Sequence, residues 1–155
     1  MALKPDRTVI DTDITMFWSE LTAQNTQTKG GVASVESVGS GVAMDHTSNV
    51  VQYAADPSGA VPKGILVQDV NPALSSTRDY KNFHNLEIRP GEKCTLIRQG
   101  WVVTDKITGT PAVGGTAYVG ASGLISTTQA SGAVAIGRFE TTVDADGFAR
   151  VSIDI

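Results

Sequence analysis

The chain has 155 residues, the length of one ordinary domain; it is 41% hydrophobic, only 18% charged, and carries 12 Lys+Arg against 16 Asp+Glu for a net charge of −4. An acidic chain without a basic cluster is a poor nucleic-acid binder, no apolar run approaches the ~18 residues of a membrane helix, and no charged segment followed by an apolar stretch opens the chain, so no signal peptide is expected. A single cysteine, Cys94, excludes an internal disulfide framework, and two histidines, His46 and His84, leave little material for metal or acid–base chemistry; what remains is a soluble, turn-rich domain of a reducing compartment.

Residues 13–24 (DITMFWSELTAQ) place Ile14, Phe17, Trp18 and Leu21 at the spacing of one helical face. Their threonine content favours an extended arm instead, so both conformations stay open. Polar residues 22–29 (TAQNTQTK) read as a linker, and Gly30-Gly31 as the hinge beyond it. The chain therefore divides into an arm with linker over 1–31 and a single β domain over 32–155.

Within that domain valine and threonine fall in short runs separated by Gly, Pro, Asp or Asn. Strands are expected at 32–38, 41–44, 50–54, 64–70, 94–98 and 101–104. Residues 117–119 and 124–127 flank Gly120-Ala121-Ser122-Gly123, a hairpin loop. Residues 71–86 are polar and read as a long loop with at most one helical turn. At the end of the chain Ala149, Val151, Ile153 and Ile155 alternate with Arg150, Ser152 and Asp154, the period of a strand with one buried face. The Asp-Gly turn before it makes residues 134–143 and 148–155 an antiparallel hairpin. Strands of this length and spacing predict an all-β fold, a compact antiparallel β-barrel or β-sandwich with an extended N-terminal arm.

The sequence Ser58-Gly59-Ala60-Val61 recurs as Ser131-Gly132-Ala133-Val134, and Gly64 as Gly137, each 73 residues on. A Gly-started strand lies upstream of each copy, GSGVAM (39–44) and GGTAYV (114–119). Two related β-hairpin units in one barrel are one reading, and chance recurrence in a chain rich in Gly, Ala, Ser and Val is the other.

Motifs for chemistry are sparse. Asp144-Ala145-Asp146-Gly147 opens like a calcium loop, but the twelfth position, which must supply an acid, is Ile155, so a hairpin turn is expected. Asp11 and Asp13 form a solvated acidic pair. No nucleophile elbow and no phosphate-binding loop is present. Neither histidine stands in a catalytic pattern, and Cys94, with no histidine beside it, reads as a buried inert thiol. No cofactor, metal or catalytic residue is expected. Phe17 and Trp18 are either a local core plug or a partner-facing pair, and Trp101 reads as core or inter-subunit packing.

Residues 64–70 (GILVQDV), 82–84 (NFH), 96–104 (LIRQGWVVT), 109–114 (GTPAVG), 117–119 (AYV) and 137–139 (GRF), with the closing Asp144–Gly147 turn and Ala149-Arg150-Val151, resemble virion structural proteins of tailed bacteriophages of the capsid-decoration (cement) type. The likeness covers the C-terminal two-thirds of the chain and rests on strand ends and turns. It implies a small β protein on the outer face of an assembled head, bound to the major capsid protein, commonly as a homotrimer, and with no catalytic residue. It adds the open β-tulip of some decoration proteins to the candidate folds. An N-terminal arm ordered against the shell or a neighbouring subunit is also implied, and Val9, Ile10, Ile14, Phe17 and Trp18 are its apolar anchors, with Trp101 at a subunit contact. An arm of this kind adds a strand to a neighbour's sheet, and many copies act together by avidity. The location expected is the virion, reached from the host cytoplasm during assembly, with neither nucleic acid nor membrane as partner. The alternative is a carbohydrate-binding module of a phage fibre or tail, using Trp and Tyr to stack on sugars. A small β-barrel hydrolase built on His46 or His84 with Asp69 has no local pattern behind it.

Overall fold

The computed structural model describes residues 13–19, 27–35, 50–51, 53–70, 87–88 and 92–155. Twelve strands and a single 3-10 turn, at Ala121–Gly123, make up the regular structure of these residues. The strands are β1 (Asp13–Ser19), β2 (Val32–Val35), β3 (Val50–Val51), β4 (Val61–Leu66), β5 (Asp69–Val70), β6 (Glu87–Ile88), β7 (Lys93–Thr104), β8 (Ile107–Thr108), β9 (Thr116–Val119), β10 (Ile125–Ser126), β11 (Ala135–Phe139) and β12 (Ala149–Asp154). Eight of them run in the order β2-β4-β7-β12-β11-β9-β10-β8 in one sheet; β1 joins it beside β7, and β3 pairs with β1. β5 and β6 form a separate parallel pair. The sheet is curled into a half-barrel, so the all-β expectation holds and the barrel, rather than the sandwich, is the nearer description. The expected strand at 41–44 and the long loop at 71–86 lie outside the described residues.

Of the two conformations open to the segment from Asp13, the extended one is adopted. β1 runs antiparallel to β7 from Trp18↔Lys93 to Asp13↔Gln99, with one irregularity after Asp13. Leu96 and Ile97 pair with Leu66 and Ile65 of β4 on one edge and with Thr15 and Ile14 of β1 on the other. β12 takes over at Gln99, where Asp154 and Asp13 both pair. β7 is thus one strand of 12 residues where two were expected. It stays continuous because partners follow one another along it, β1 and β4 over its first half and β12 over its second. The price is a break in alternation at Arg98 and Gln99, which are both exposed.

The curl follows from where the side chains go. The larger core cluster takes Val32 of β2, at one end of the sheet, and Ile125 of β10, near the other, with Ile107 of β8 packed against it. Its middle is Ile65, Ile97, Val102, Ile136, Phe139, Val151 and Ile153. A flat sheet cannot bring its two ends to one core. A second cluster of Ala33, Val51, Leu66, Val70, Ile88, Cys94 and Leu96 lies on the opposite face of β2, β4 and the first half of β7. These strands are buried on both faces, which is why their sequence shows continuous apolar runs and not alternation. β12 is buried on one face only, and alternates as expected.

The recurrence 73 residues apart is structural. Gly59 and Gly132 turn at φ 75° and 74°, values that favour glycine. The N–H of Ala60 donates to the carbonyl of Pro57, and that of Ala133 to the carbonyl of Ala130. Gly64 and Gly137 both lie against the neighbouring strand, where a Cβ would stand 2.7 Å from Ile97 O and 1.8 Å from Ser152 O. The strand that pairs with β4 in the first copy is β2, in residues 30–35 (GGVASV), and the expected strand at residues 39–44 lies outside the described residues. Gly30 N donates to Leu66 O at 2.8 Å and Leu66 N to Gly31 O at 3.0 Å. In the second copy Gly114 N donates to Phe139 O and Phe139 N to Gly115 O, both at 2.8 Å. Two units, β2-β4 leading to β7 and β9-β11 leading to β12, therefore share one hydrogen-bond register.

The two units use their faces differently. Ala33, Leu66 and Leu96 of the first belong to the second cluster, while their counterparts Ala117, Phe139 and Val151 belong to the larger one. On the reverse face, Val32, Ile65 and Ile97 of the first unit are buried in the larger cluster. Their counterparts Thr116, Arg138 and Ser152 are polar, and face outward exposed or half-buried. One unit is sandwiched, and the other keeps an open polar face.

Candidate interaction surface

The sequence pointed to six apolar anchors. Val9 and Ile10 lie outside the described residues. Ile14, Phe17 and Trp18 lie on β1, opposite Ile97, Cys94 and Lys93 of β7, and Trp18 also pairs with Val50 of β3. Trp101 lies on β7 beyond the end of β1, opposite Ser152.

Trp101 is half-buried on the outer face. The guanidinium of Arg150, on the neighbouring β12, sits 4.1 Å from its ring centroid. The same guanidinium pairs with the Glu140 carboxylate. An exposed ion pair of this kind contributes at most about 1 kcal/mol, and a partly exposed cation–π contact about 0.5–1 kcal/mol. Together they fix the ring's outward edge more than they stabilise the fold. The ring forms one wall of a shallow groove of about 490 Å³, lined also by Val103, Val143, Phe148 and Arg150. The β11–β12 hairpin borders this groove. Its turn is locked by Asp144, whose Oδ1 accepts the N–H groups of Asp146 at 3.0 Å and Phe148 at 2.8 Å. The expected hairpin turn is thus formed, with the first aspartate of the calcium-like sequence holding the backbone.

Among the described residues the large exposed apolar side chains are Val61, Val113, Val134 and Val143. Val143 rims the Trp101 groove. Val61 and Val134 occupy the same position in the two repeats. Patches this small are the scale of a local contact rather than of an obligate interface.

His46 and His84 lie outside the described residues. Among the described residues no three of His, Cys, Asp and Glu gather as a metal site would require. Cys94 is buried in the second cluster, as its sequence setting implied. Asp69 accepts the Lys29 N–H at 2.8 Å.

One residue that sequence reasoning missed holds the curl closed. Tyr53 Oη accepts the Gly31 N–H at 3.0 Å and donates to the Thr28 carbonyl. Its ring lies where a Cβ on Gly123 would have to go, 2.4 Å from Tyr53 Cγ. Ser122 N donates to Ala54 O at 2.7 Å, and Thr104 Oγ1 to Gly30 O at 2.8 Å. The start of β2 is thereby tied to the connection between β9 and β10. Burial pushes the Tyr53 phenol well above the usual tyrosine range; the Gly31 N–H opposes this, and the charges of Asp69 and Asp105 add to it. Nothing in a lone tyrosine between Gln52 and Ala54 announces such a role.

Comparison with known proteins supplies what the geometry leaves unnamed. A search of curated proteins finds no match. The family model described as structural cement protein (E217 gp24/Pam3 gp6) matches residues 16–154. That span runs from β1 to the last residue of β12 and includes both repeats. A β-sheet half-barrel is a fitting scaffold for a structural role in a capsid, and this chain belongs to the phage structural cement protein family.

Proposed function

We propose that this cement protein binds the outer face of the assembled phage head, contacts the major capsid protein there, and acts as a homotrimer without catalysis. The N-terminal arm anchors it in part, through Val9, Ile10, Ile14, Phe17 and Trp18, while Trp101 serves a subunit contact. It joins the head in the host cytoplasm. The family match over residues 16–154 carries this reading. The outward Trp101 edge and the half-exposed valines support it, since aromatic and apolar anchors dominate contact energies. β1 runs along β7, so Ile14, Phe17 and Trp18 meet the shell from the edge of the body, and Val9 and Ile10 from the stretch ahead of it.

Co-sedimentation with empty heads tests this. A deletion of residues 2–11 spares β1, so the body keeps its β7 partner. The intact protein is expected to sediment with heads, and the deletion to bind at least tenfold more weakly. Undiminished binding would overturn Val9 and Ile10 as anchors, undiminished binding when Ile14, Phe17 and Trp18 are also replaced by serine would overturn the arm, and absence of binding by the intact chain would overturn the function. Light scattering of the free protein is expected to give three times the chain mass of 16.2 kDa. With a net charge of only −4, binding rests on apolar and backbone contacts, so moderate salt weakens it little.

A further inference from the structure

β1 belongs to neither repeat, yet it takes a place that the repeat defines. The last strand of the first unit is the first half of β7, and that of the second unit is β12. On the side away from β11, β12 is flanked by the second half of β7, over rungs from Trp101↔Ser152 to Thr104↔Ala149. On the side away from β4, the first half of β7 is flanked by β1, over rungs from Ile14↔Ile97 to Phe17↔Cys94. Ile97 and Cys94 are the counterparts of Ser152 and Ala149, so four consecutive rungs coincide, and both pairs are antiparallel. In the second unit this slot receives a strand from outside the unit. In the first unit it receives β1.

Two observations bear on which chain supplies that strand. Among the described residues the large exposed apolar side chains are four valines, far short of the apolar area that holds an obligate oligomer, about 2,000 Å² or more. A homotrimer of this chain is then better served by main-chain pairing than by an apolar patch. Between Ser19, the last residue of β1, and Gln27, which is held at Val70, eight Cα steps reach up to about 28 Å. That is nearly twice the radius of gyration of about 15 Å for a chain of this length, enough to carry β1 onto an abutting copy. The rungs are the same whether β1 lies along its own β7 or along a neighbour's.

We infer that β1 is exchanged between copies of this chain: the β1 of one protomer fills the β7 slot of the next, and so on round a closed ring. The surface that receives it is the β7 edge from Lys93 to Gln99 of a second copy, with the register given above. Head-to-tail contacts of this kind close into rings. Each copy gives one strand and accepts one, so no slot stays empty and no strand edge is left open there. The inference rests on the homotrimer reading above and names the contact that holds the trimer together.

The single native cysteine reads the exchange. Phe17 stands directly opposite Cys94, and the Cα atoms of such antiparallel pairs lie about 4.5–5.5 Å apart, within the range of a disulfide. The full chain carrying Phe17→Cys is oxidised mildly at micromolar concentration and run on a denaturing, non-reducing gel. The expected result is bands of two and three chains of 16.2 kDa that collapse to one on reduction. Met16→Cys with Thr95→Cys, in a Cys94→Ala background, repeats the measurement on the neighbouring rung and the other face of the strands, so a variant spoiled by the loss of Phe17 is recognised. Circular dichroism confirms the fold of each. Linkage within single chains only, or in neither variant, overturns the exchange. Light scattering of the unaltered protein judges the oligomer separately. Three chain masses with linkage inside single chains leave the homotrimer standing and overturn the exchange, whereas one chain mass overturns both. Bands that stop at two chains keep the exchange as a reciprocal pair and overturn the homotrimer.

Discussion

Gly137→Ala puts a methyl group where the molecule has no room. A Cβ there stands 1.8 Å from the Ser152 carbonyl oxygen and 2.9 Å from its carbon, inside the 3.0 Å that real Cβ contacts respect. Ser152 is part of β12 and pairs with Arg138 of β11, so the obstacle is main chain and cannot rotate away. β11 and β12 have to part locally. Losing one or two ladder hydrogen bonds costs about 1 kcal/mol each, and forcing an extra methyl into a filled site about 1–3 kcal/mol. A total near 3–4 kcal/mol corresponds to a fall in Tm of about 10 °C for a domain of this size. Gly147→Ala is the control. Gly147 has φ 85° and no heavy atom within 4 Å of a built Cβ, so only backbone strain of about 1–2 kcal/mol remains, or roughly 3–6 °C. Thermal unfolding followed by circular dichroism reads both. A Gly137→Ala protein melting within about 2 °C of the parent, or a Gly147→Ala protein melting below it, would refute the packing argument.

Three further outcomes follow from the same contacts. Phe139→Ala empties the largest side chain of the core, 1% exposed, and is expected to cost about 3–5 kcal/mol, seen as a drop of roughly 10 °C or more in calorimetry. Tyr53→Phe removes the hydroxyl between Thr28 and Gly31 and costs about 1–3 kcal/mol at neutral pH. Because folding raises the Tyr53 pKa, the native state holds its proton longer than the unfolded chain. The stability from the neutral phenol is complete below about pH 10 and drains away as pH rises through the folded value, so denaturant titrations above pH 10 should fall less steeply for Tyr53→Phe than for the parent. Arg150→Ala removes the cation over Trp101 and the partner of Glu140, so it should red-shift the Trp101 emission while moving Tm by no more than a few degrees.

The parts of the fold legible in the sequence are those with one covered face. Ala149, Val151 and Ile153 are buried, and Arg150, Ser152 and Asp154 turn outward, because β12 is a half-buried strand and its period shows it. Residues 64–70 gave a strand but not its bounds. Ile65 enters one cluster and Leu66 the other, so the apolar run carries no phase, and the break at Val67-Gln68 between β4 and β5 has no turn residue to mark it. The repeat was half visible. Its SGAV copies are identical in letters, whereas GGVASV and GGTAYV lie 84 residues apart and not 73, because the stretch between β2 and β4 is longer than that between β9 and β11. Trp101 was visible as an aromatic after glycine. Its partner Arg150 was not, since a contact across a strand pair 49 residues apart in sequence leaves no local trace.

The placement of polar residues in the two repeats follows from how each copy is covered. The hydrogen-bond register fixes glycines and a buried alanine in both copies and leaves the remaining side chains free to differ. In the first copy both faces are covered, so Val32, Ile65 and Ile97 have to be apolar. In the second copy one face is open, and the same three places hold Thr116, Arg138 and Ser152. A uniformly apolar second copy would offer its reverse face to another such unit, and stacking would continue from molecule to molecule as it does between repeats of a solenoid. Arg138 in the place of Ile65 ends that series at two, because docking a further apolar face there would strand a charge without water. Polar residues at those three positions make that face a poor surface for stacking a further unit.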